Sequence, residues 1–161
     1  MLKGHKYPVY DIAFSPNGCS FVSASADRSV RIWNIRDGSS KVLPATGSPG
    51  YFNSVAFRPD GRYVSAGNSD GSLWIWDLRT YRLVAKWFGH ARSVRCIGFT
   101  ADGKGLISGG IDNMVKHWDV SLLGKGHGVS TKVGNEEGFP EVRRFLGHHV
   151  RCFFLFFFSQ C

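Results

Sequence analysis

A histidine, a serine and an aspartate recur at the same offsets in two parts of the chain. These are the three residue types of a serine-hydrolase triad. The two sets are His5, Ser23 and Asp27, and His90, Ser108 and Asp112. In a triad the histidine activates the serine hydroxyl and the aspartate orients the histidine, at one site that also holds an oxyanion hole. A set that is copied 85 residues further along does not fit a single site of this kind. We therefore predict no catalytic residues and no enzymatic activity.

Other candidate ligand-binding residues have simpler structural explanations. The stretch GKGHG at 124–128 lacks the spacing of a phosphate-binding loop, and its polar surroundings indicate an extended surface loop. His148, His149 and Cys152 have metal-binding side chains, but His148 belongs to a Gly-His pair that recurs along the chain. The four cysteines are not spaced as in zinc sites. We predict no metal site, no cofactor and no small-molecule substrate.

The candidate residues lie at the ends of elements that repeat three times. The last part of the repeat reads DRSVRIWN from Asp27, DGSLWIWD from Asp70 and DNMVKHWD from Asp112. Before each copy come an apolar strand that ends in phenylalanine, a turn with Asn-Gly or Asp-Gly, and a second strand. Asn-Gly and Asp-Gly predict tight hairpin turns in which both central residues have positive φ. Each unit is therefore predicted to be a set of short antiparallel strands.

Units of about 40–45 residues, with Gly-His near the start and tryptophan at the end, resemble the repeats of WD40 β-propellers. The resemblance covers residues 4 to about 120 and resumes at 141–149. It implies an all-β fold of four-stranded blades, which stack because one blade cannot bury both of its faces. We expect about three complete blades of an incomplete, open propeller, with apolar blade faces left exposed.

In WD40 blades the repeated polar residues resemble a buried hydrogen-bonded tetrad, in which aspartate accepts from histidine and serine links histidine to tryptophan. The resemblance implies a structural tetrad role for His5, Ser23, Asp27, Trp33, Asp70, Trp76, His90, Ser108, Asp112 and Trp118. The second unit has Ser48 and Ala66 where histidine and serine are expected. We therefore predict an incomplete network and a looser blade there. Trp74 is expected to pack between strands, outside the tetrad.

The pattern divides the chain into three parts. Residues 1–123 hold three WD40 repeats, 124–140 form a polar loop insertion, and 141–161 begin a fourth repeat. No outer strand precedes the first Gly-His, so we expect both ends of the propeller to be cut. After His149 the pattern gives way to the aberrant tail VRCFFLFFFSQC. Phe, Leu and Ser can all be written in pyrimidine-rich codons, so our hypothesis is that this tail comes from translation through a retained intron. Its apolar run is far shorter than the ~20 residues that span a bilayer, which predicts no membrane segment.

Three stretches are similar to the propeller of the Tup-type general transcriptional corepressors of fungi, relatives of the Groucho group. They are VYDIAFSPNGCSFVSASADRSVRIWN, GRYVSAGNSDGSLWIWD and SVRCIGFTADGKGLISGGIDNMVKHWDV. This resemblance implies a nuclear, non-enzymatic platform that binds short segments of DNA-bound repressors and of chromatin components. The alternative is a WD40 adaptor or scaffold of another system, such as a ubiquitin-ligase substrate receptor or a signalling scaffold, with a cytoplasmic location.

Charge and position together suggest how such partners would bind. The net charge is +8, and the basic residues are scattered, which favours acidic partners and predicts no direct sequence-specific contact with nucleic acid. In WD40 propellers the loops from outer to inner strands and from second to third strands lie on one rim at the channel mouth. By offset from the Gly-His position, the resemblance places eight partner-binding residues on that rim: Pro8, Tyr10, Tyr51, Asn53, Ser69, Ser93, Arg95 and Ile111.

Overall fold

The described part of the chain, residues 2–124 and 141–146 of a computed structural model, is built from three four-stranded antiparallel sheets. Blade 1 consists of β1 (Val9–Phe14), β2 (Ser20–Ser25), β3 (Val30–Asn34) and β4 (Ser40–Leu43). Blade 2 consists of β5 (Phe52–Phe57), β6 (Tyr63–Asn68), β7 (Ser72–Asp77) and β8 (Arg82–Phe88). Blade 3 consists of β9 (Val94–Phe99), β10 (Gly105–Gly110), β11 (Met114–Asp119) and β12 (Glu141–Leu146). The predicted all-β class with three blades is confirmed.

Each blade has its strands in sequence order, so every connection joins neighbouring antiparallel strands. The first and second strands of each blade show a register shift at the same end. It falls between Val9 and Asp11 in blade 1 and between Phe52 and Ser54 in blade 2. In blade 3 it falls between Gly109 and Gly110. Such bulges increase local twist and re-aim side chains, and here they lie beside the loops that hold the candidate site.

The turns between first and second strands differ from the prediction. Gly18, Gly61 and Gly103 have positive φ, whereas the Asn or Asp before each of them does not. The first of these turns is closed by a hydrogen bond from the Gly18 N–H to the Ser15 carbonyl. A type I turn followed by a left-handed glycine has these properties. The hairpins are therefore as predicted, but the expectation of positive φ at both central residues is wrong.

Two hydrophobic clusters hold the blades together. Between blades 1 and 2, the fully buried Val22 and Leu43 pack in one cluster with Val64 and Trp76. Between blades 2 and 3, Leu73, Ile75 and Trp87 pack with Ile97 and Leu106. Each cluster combines one face of a blade with the opposite face of the next, which is how repeated sheets bury both sides.

Among the strands whose burial is described, those of blade 2 are the most completely buried. Every residue of β6 and β7 is buried, because a neighbouring blade covers each face. The prediction of a looser second blade is therefore not supported by its packing.

Blade 1 exposes the face that blades 2 and 3 bury. Ile12 is 49% exposed, whereas Val55 and Ile97, at the equivalent positions, are each 2% exposed. Phe14 on the same face is 56% exposed. In the described part of the chain no blade covers these side chains, which agrees with the expected open propeller.

Candidate functional site

A chain of four hydrogen-bonded side chains lies inside blade 1. The Trp33 indole N–H donates to the Ser23 Oγ over 2.7 Å, and the Ser23 Oγ lies 2.6 Å from the His5 Nε2. The His5 Nδ1 lies 2.8 Å from the Asp27 Oδ2. A single proton arrangement satisfies all three contacts: the indole donates to serine, serine to histidine, and the Nδ1–H to aspartate. The structure thus brings together all four predicted tetrad residues of this blade.

Blade 3 repeats the arrangement with closely similar distances. The Trp118 indole N–H donates to the Ser108 Oγ over 2.9 Å, and the Ser108 Oγ lies 2.8 Å from the His90 Nε2. The His90 Nδ1 lies 2.9 and 3.0 Å from the two Asp112 carboxylate oxygens. Ser23 and Ser108 are 2% and 1% exposed. Both hydroxyls are therefore enclosed between an indole and an imidazole.

The two tetrad aspartates are held in their ionised form. Burial acts to raise the pKa of Asp27, but hydrogen bonds from Ser29, His5 and the Lys6 N–H outweigh it and hold the pKa well below its usual range. For Asp112, burial is likewise outweighed by hydrogen bonds, from the His90 side chain and from the Ala91 and Met114 N–H groups, and its pKa is lowered. A carboxylate that accepts several hydrogen bonds is stabilised in this way. Each aspartate therefore anchors its histidine as a fixed negative charge.

Blade 2 satisfies its tryptophans differently, which corrects two predictions. Because Ala66 offers no acceptor, the Trp76 indole N–H donates instead to the Pro44 carbonyl, over 2.7 Å. Asp70 accepts from both the N–H and the hydroxyl of Ser72, and the Trp74 indole N–H donates to the Ser72 Oγ over 2.7 Å. Asp70 and Trp76 thus do not form a tetrad. Trp74, which was expected to lie outside the polar network, is bonded to Asp70 through Ser72.

One carboxylate oxygen of Asp70 remains buried and without a hydrogen-bond partner among the described residues. In blades 1 and 3 a histidine stands at that position in the network. Here Ser48 occupies the sequence position of the histidine, and its Oγ accepts from the Asn68 side-chain amide over 2.7 Å. The Ser-x-Trp spacing of Ser72 and Trp74 places both side chains on one face of β7, a signal that sequence reasoning could have used.

The predicted rim residues lie at one end of the three blades. In each blade the turn between the second and third strands donates a backbone hydrogen bond to the segment before or at the start of the first strand. The N–H groups of Ala26, Ser69 and Ile111 donate to the carbonyls of Pro8, Tyr51 and Ser93, respectively. We call this end the upper rim. It comprises the loops at 2–8, 26–29, 44–51, 69–71, 89–93 and 111–113, with Tyr10, Asn53 and Arg95 just inside the inner strands.

Two tyrosines from neighbouring blades form an exposed aromatic pair on the upper rim. Tyr10 is 51% and Tyr51 is 39% exposed, and their ring centroids are 5.5 Å apart with a tilt of 52°. Pro8, Arg95 and Ile111 are also exposed. These five predicted residues therefore present side chains to solvent.

Three other predicted rim residues hold the scaffold together. Asn53 is only 8% exposed, and its amide donates to the Ser93 Oγ over 2.8 Å and to the Val94 carbonyl over 2.9 Å. These bonds join blade 2 to blade 3. The Ser69 Oγ accepts the Tyr51 N–H over 3.0 Å. The partner-binding role predicted for Asn53 is corrected: its side chain is buried, because the bulge in β5 turns its amide towards β9.

Asp11 is a structural residue of the inner strands that sequence reasoning missed. One of its carboxylate oxygens accepts from the Ser54 hydroxyl over 2.8 Å and from the Val55 N–H over 2.9 Å. These bonds join blade 1 to blade 2. Burial raises the pKa of Asp11 despite these hydrogen bonds. A single aspartate in a strand carries no sequence signal for a contact with a strand about 40 residues away.

Within the described ranges, no group of three or more His, Cys, Asp or Glu side chains is arranged to hold a metal ion. No helix in that part of the chain has the length and apolar character needed to cross a membrane.

The chain matches the family model described as WD domain, G-beta repeat, over residues 1–34, 40–77 and 81–119. Nuclear distribution protein PAC1 of Ajellomyces capsulatus is 36% identical over 137 residues, which cover 84% of this chain and 30% of that protein. Apoptotic protease-activating factor 1 of Rattus norvegicus is 28% identical over an alignment 153 residues long. That alignment covers 73% of this chain and 12% of that protein.

Two solved structures share the fold at low sequence identity. The structure of U3-55K has a TM-score of 0.75 and 23% identity, over 91% of this chain and 42% of that one. The RRP9 WD40 repeats have the same TM-score and identity, over 91% and 41%. This chain thus spans less than half of the length of the proteins compared. The matching repeats and blades show that the chain belongs to the WD40 family.

Proposed function

We propose that this chain is a protein-interaction platform of the transcriptional corepressor type. Its upper rim would bind short segments of DNA-bound repressors and of chromatin components, in the nucleus. WD40 repeats are typically interaction scaffolds, and the finer assignment rests on the similarity of the three repeats to the Tup-type propeller.

The exposed pair Tyr10 and Tyr51 is the observation that supports docking at the upper rim. Tyrosines offer a large apolar contact area together with a polar hydroxyl, and they are common hot spots of interfaces. The pair crosses from blade 1 to blade 2, so a bound segment would contact two repeats at once. Arg95 of blade 3 adds a cation on the same rim.

A second candidate function is an adaptor or scaffold of another system. The relatives compared above have names from several systems, including nuclear distribution and protease activation in apoptosis. The same rim would then bind other proteins, and the location would be cytoplasmic.

A photo-crosslinking residue at Tyr10 or at Tyr51 tests the docking site and separates the two candidates. In nuclear extract, both positions should crosslink repressors or chromatin proteins, identified by mass spectrometry. Partners captured mainly from cytosolic extract would support the adaptor instead. Tyr10→Ala, Tyr51→Ala and Arg95→Ala should each weaken binding of a captured partner segment, titrated as a peptide, by about tenfold.

Arg36 provides the control position, since it is exposed in a turn at the opposite end of the blades. A crosslinker there should capture none of the rim partners. If the Arg36 position captured the same proteins as Tyr10, or if all three alanine variants bound unchanged, the proposed docking site would be wrong.

A further inference from the structure

We infer that the segment bound at the upper rim is acidic: a short peptide whose carboxylates contact the cations of the rim and whose apolar side chain contacts the tyrosine pair. This inference rests on the proposed function, because it names the ligand class of the same rim. It comes from an asymmetry of charge between the two ends of the blades.

The upper rim carries five exposed cations, on blade 1, on blade 3 and on the segment before blade 1. Lys6 and Arg28 lie on blade 1, Arg92 and Arg95 lie on blade 3, and Lys3 precedes the first blade. All five are exposed, and none forms an ion pair within the described part of the chain. Their charges are therefore available to a ligand.

The carboxylates of the same rim are turned inwards. The side chains of Asp27 and Asp112 are 9% and 8% exposed and are bonded to His5 and His90. Asp70 is half-buried and accepts from Ser72. No carboxylate among the described rim residues is exposed. The repeat thus places one aspartate in the turn between the second and third strands of each blade. None of these aspartates is exposed, so the exposed charges of the rim are cationic.

At the opposite end of the blades, exposed positive and negative side chains lie side by side. Four aspartates are exposed there, at 37, 60, 102 and 119. They lie among the exposed cations Arg36, Arg79 and Lys104. The charge of the chain is therefore not spread evenly: among the described residues, the exposed cations of the opposite end lie beside exposed carboxylates, whereas those of the upper rim do not. Complementary charge guides encounter and selects partners of opposite sign.

A peptide fits this rim better than a nucleic acid strand. Strand-binding proteins follow the phosphate backbone with cations along a groove and stack bases on open aromatic faces. Here the cations lie in separate groups on blades 1 and 3, and Tyr10 and Tyr51 pack against each other at a 52° tilt. This arrangement suits one apolar anchor with carboxylates on both sides.

Fluorescence anisotropy with the complete 161-residue chain tests this inference. The probe is a labelled peptide of alternating glutamate and phenylalanine, and its partner probe has glutamine in place of each glutamate. The acidic peptide should bind at least about tenfold more tightly than the glutamine peptide, and should weaken as salt shortens the range of charge interactions. Lys6→Glu and Arg95→Glu should each reduce its affinity several-fold. The matched control Arg36→Glu should leave its affinity unchanged.

The outcomes separate this inference from the proposed docking site. If the two peptides bind equally and only Tyr10→Ala and Tyr51→Ala weaken them, the rim binds peptides but the acidic preference is wrong. If labelled oligouridylate binds more tightly than the acidic peptide, the ligand class is wrong. If no rim substitution affects either peptide, or if Arg36→Glu weakens the acidic peptide as much as Arg95→Glu does, the docking site itself is wrong.

Discussion

A buried indole N–H requires an acceptor, and the three blades supply it with different residues. Trp33 and Trp118 use a serine that is backed by histidine and aspartate. Trp76 uses the carbonyl of Pro44, and Trp74 uses Ser72. A buried donor that is left unpaired costs about 1–3 kcal/mol, so each solution stabilises its blade. The indoles of blade 2 are thus satisfied without a histidine.

Replacing the turn aspartates measures what each network contributes. Asp27→Ala removes an acceptor of four hydrogen bonds, from His5, Lys6 and two groups of Ser29. It should lower the free energy of unfolding by about 1–3 kcal/mol. Asp70→Ala should cost less, because among the described residues Asp70 accepts only from Ser72 and has one buried oxygen without a partner. Denaturant unfolding followed by tryptophan fluorescence compares the two variants.

The exposed Arg36 serves as the control for this comparison. Arg36→Ala should change the free energy of unfolding by less than about 0.5 kcal/mol. Equal losses for Asp27→Ala and Asp70→Ala would contradict the view that the histidine-linked network is the stronger one.

At the scale of elements, the inner strands β1, β5 and β9 are joined by polar side chains as well as by apolar packing. Asp11 of β1 bonds to Ser54 and Val55 of β5. Asn53 of β5 bonds to Ser93 and Val94 at the start of β9. Each contact lies at or next to the bulge of its strand. The bulges therefore direct side chains at the blade boundaries, where they fix the position of one blade against the next.

Asn53→Ala should destabilise the contact between blades 2 and 3. It leaves the Val94 carbonyl without the Asn53 donor and should cost about 1–3 kcal/mol. Amide hydrogen exchange should show faster exchange in β9, in addition to the lower stability seen by denaturant unfolding. Tyr10→Ala is the matched control, since Tyr10 is the equivalent residue of blade 1 and is 51% exposed. If Asn53→Ala is as mild as Tyr10→Ala, the amide does not join the blades.

At the scale of the whole molecule, one blade face is apolar and uncovered within the described residues. Ile12 and Phe14 stand where blade 2 has Val55 and Phe57. Exposed apolar surface of this kind promotes association between molecules. The chain is therefore expected to self-associate through blade 1 as its concentration rises.

Ile12→Thr combined with Phe14→Thr should reduce that self-association. Threonine keeps the preference for strand structure while removing most of the apolar surface. Sedimentation velocity over a range of concentrations should show a shift towards the monomer. Leu122→Thr, which removes an apolar side chain that is 57% exposed outside this face, should have little effect. A double variant that self-associates as strongly as the unaltered chain would show that another surface is responsible.

Most of the fold could be predicted from the sequence because its signals are local and repeated. Strand alternation, Asn-Gly or Asp-Gly turns, and an octapeptide that begins with Asp and has Trp as its seventh residue each occur three times at nearly equal spacing. Each copy supports the same assignment. Four tetrad residues in blade 1 and four in blade 3 were predicted for the same reason. The common offset from the Gly-His position also placed the Tyr10–Tyr51 pair on the upper rim.

The tertiary structure alone decided which polar side chains join the blades and which face solvent. Asn53 and Tyr10 share one sequence offset, yet Asn53 lies against β9 and is buried, whereas Tyr10 is exposed. The acceptor of Trp76 likewise depended on the position of the Pro44 carbonyl in space. A repeat determines the strands of a blade through local backbone preferences. Burial and hydrogen-bond partners depend on the neighbouring blade, whose side chains are about 40 residues away and differ from one repeat to the next.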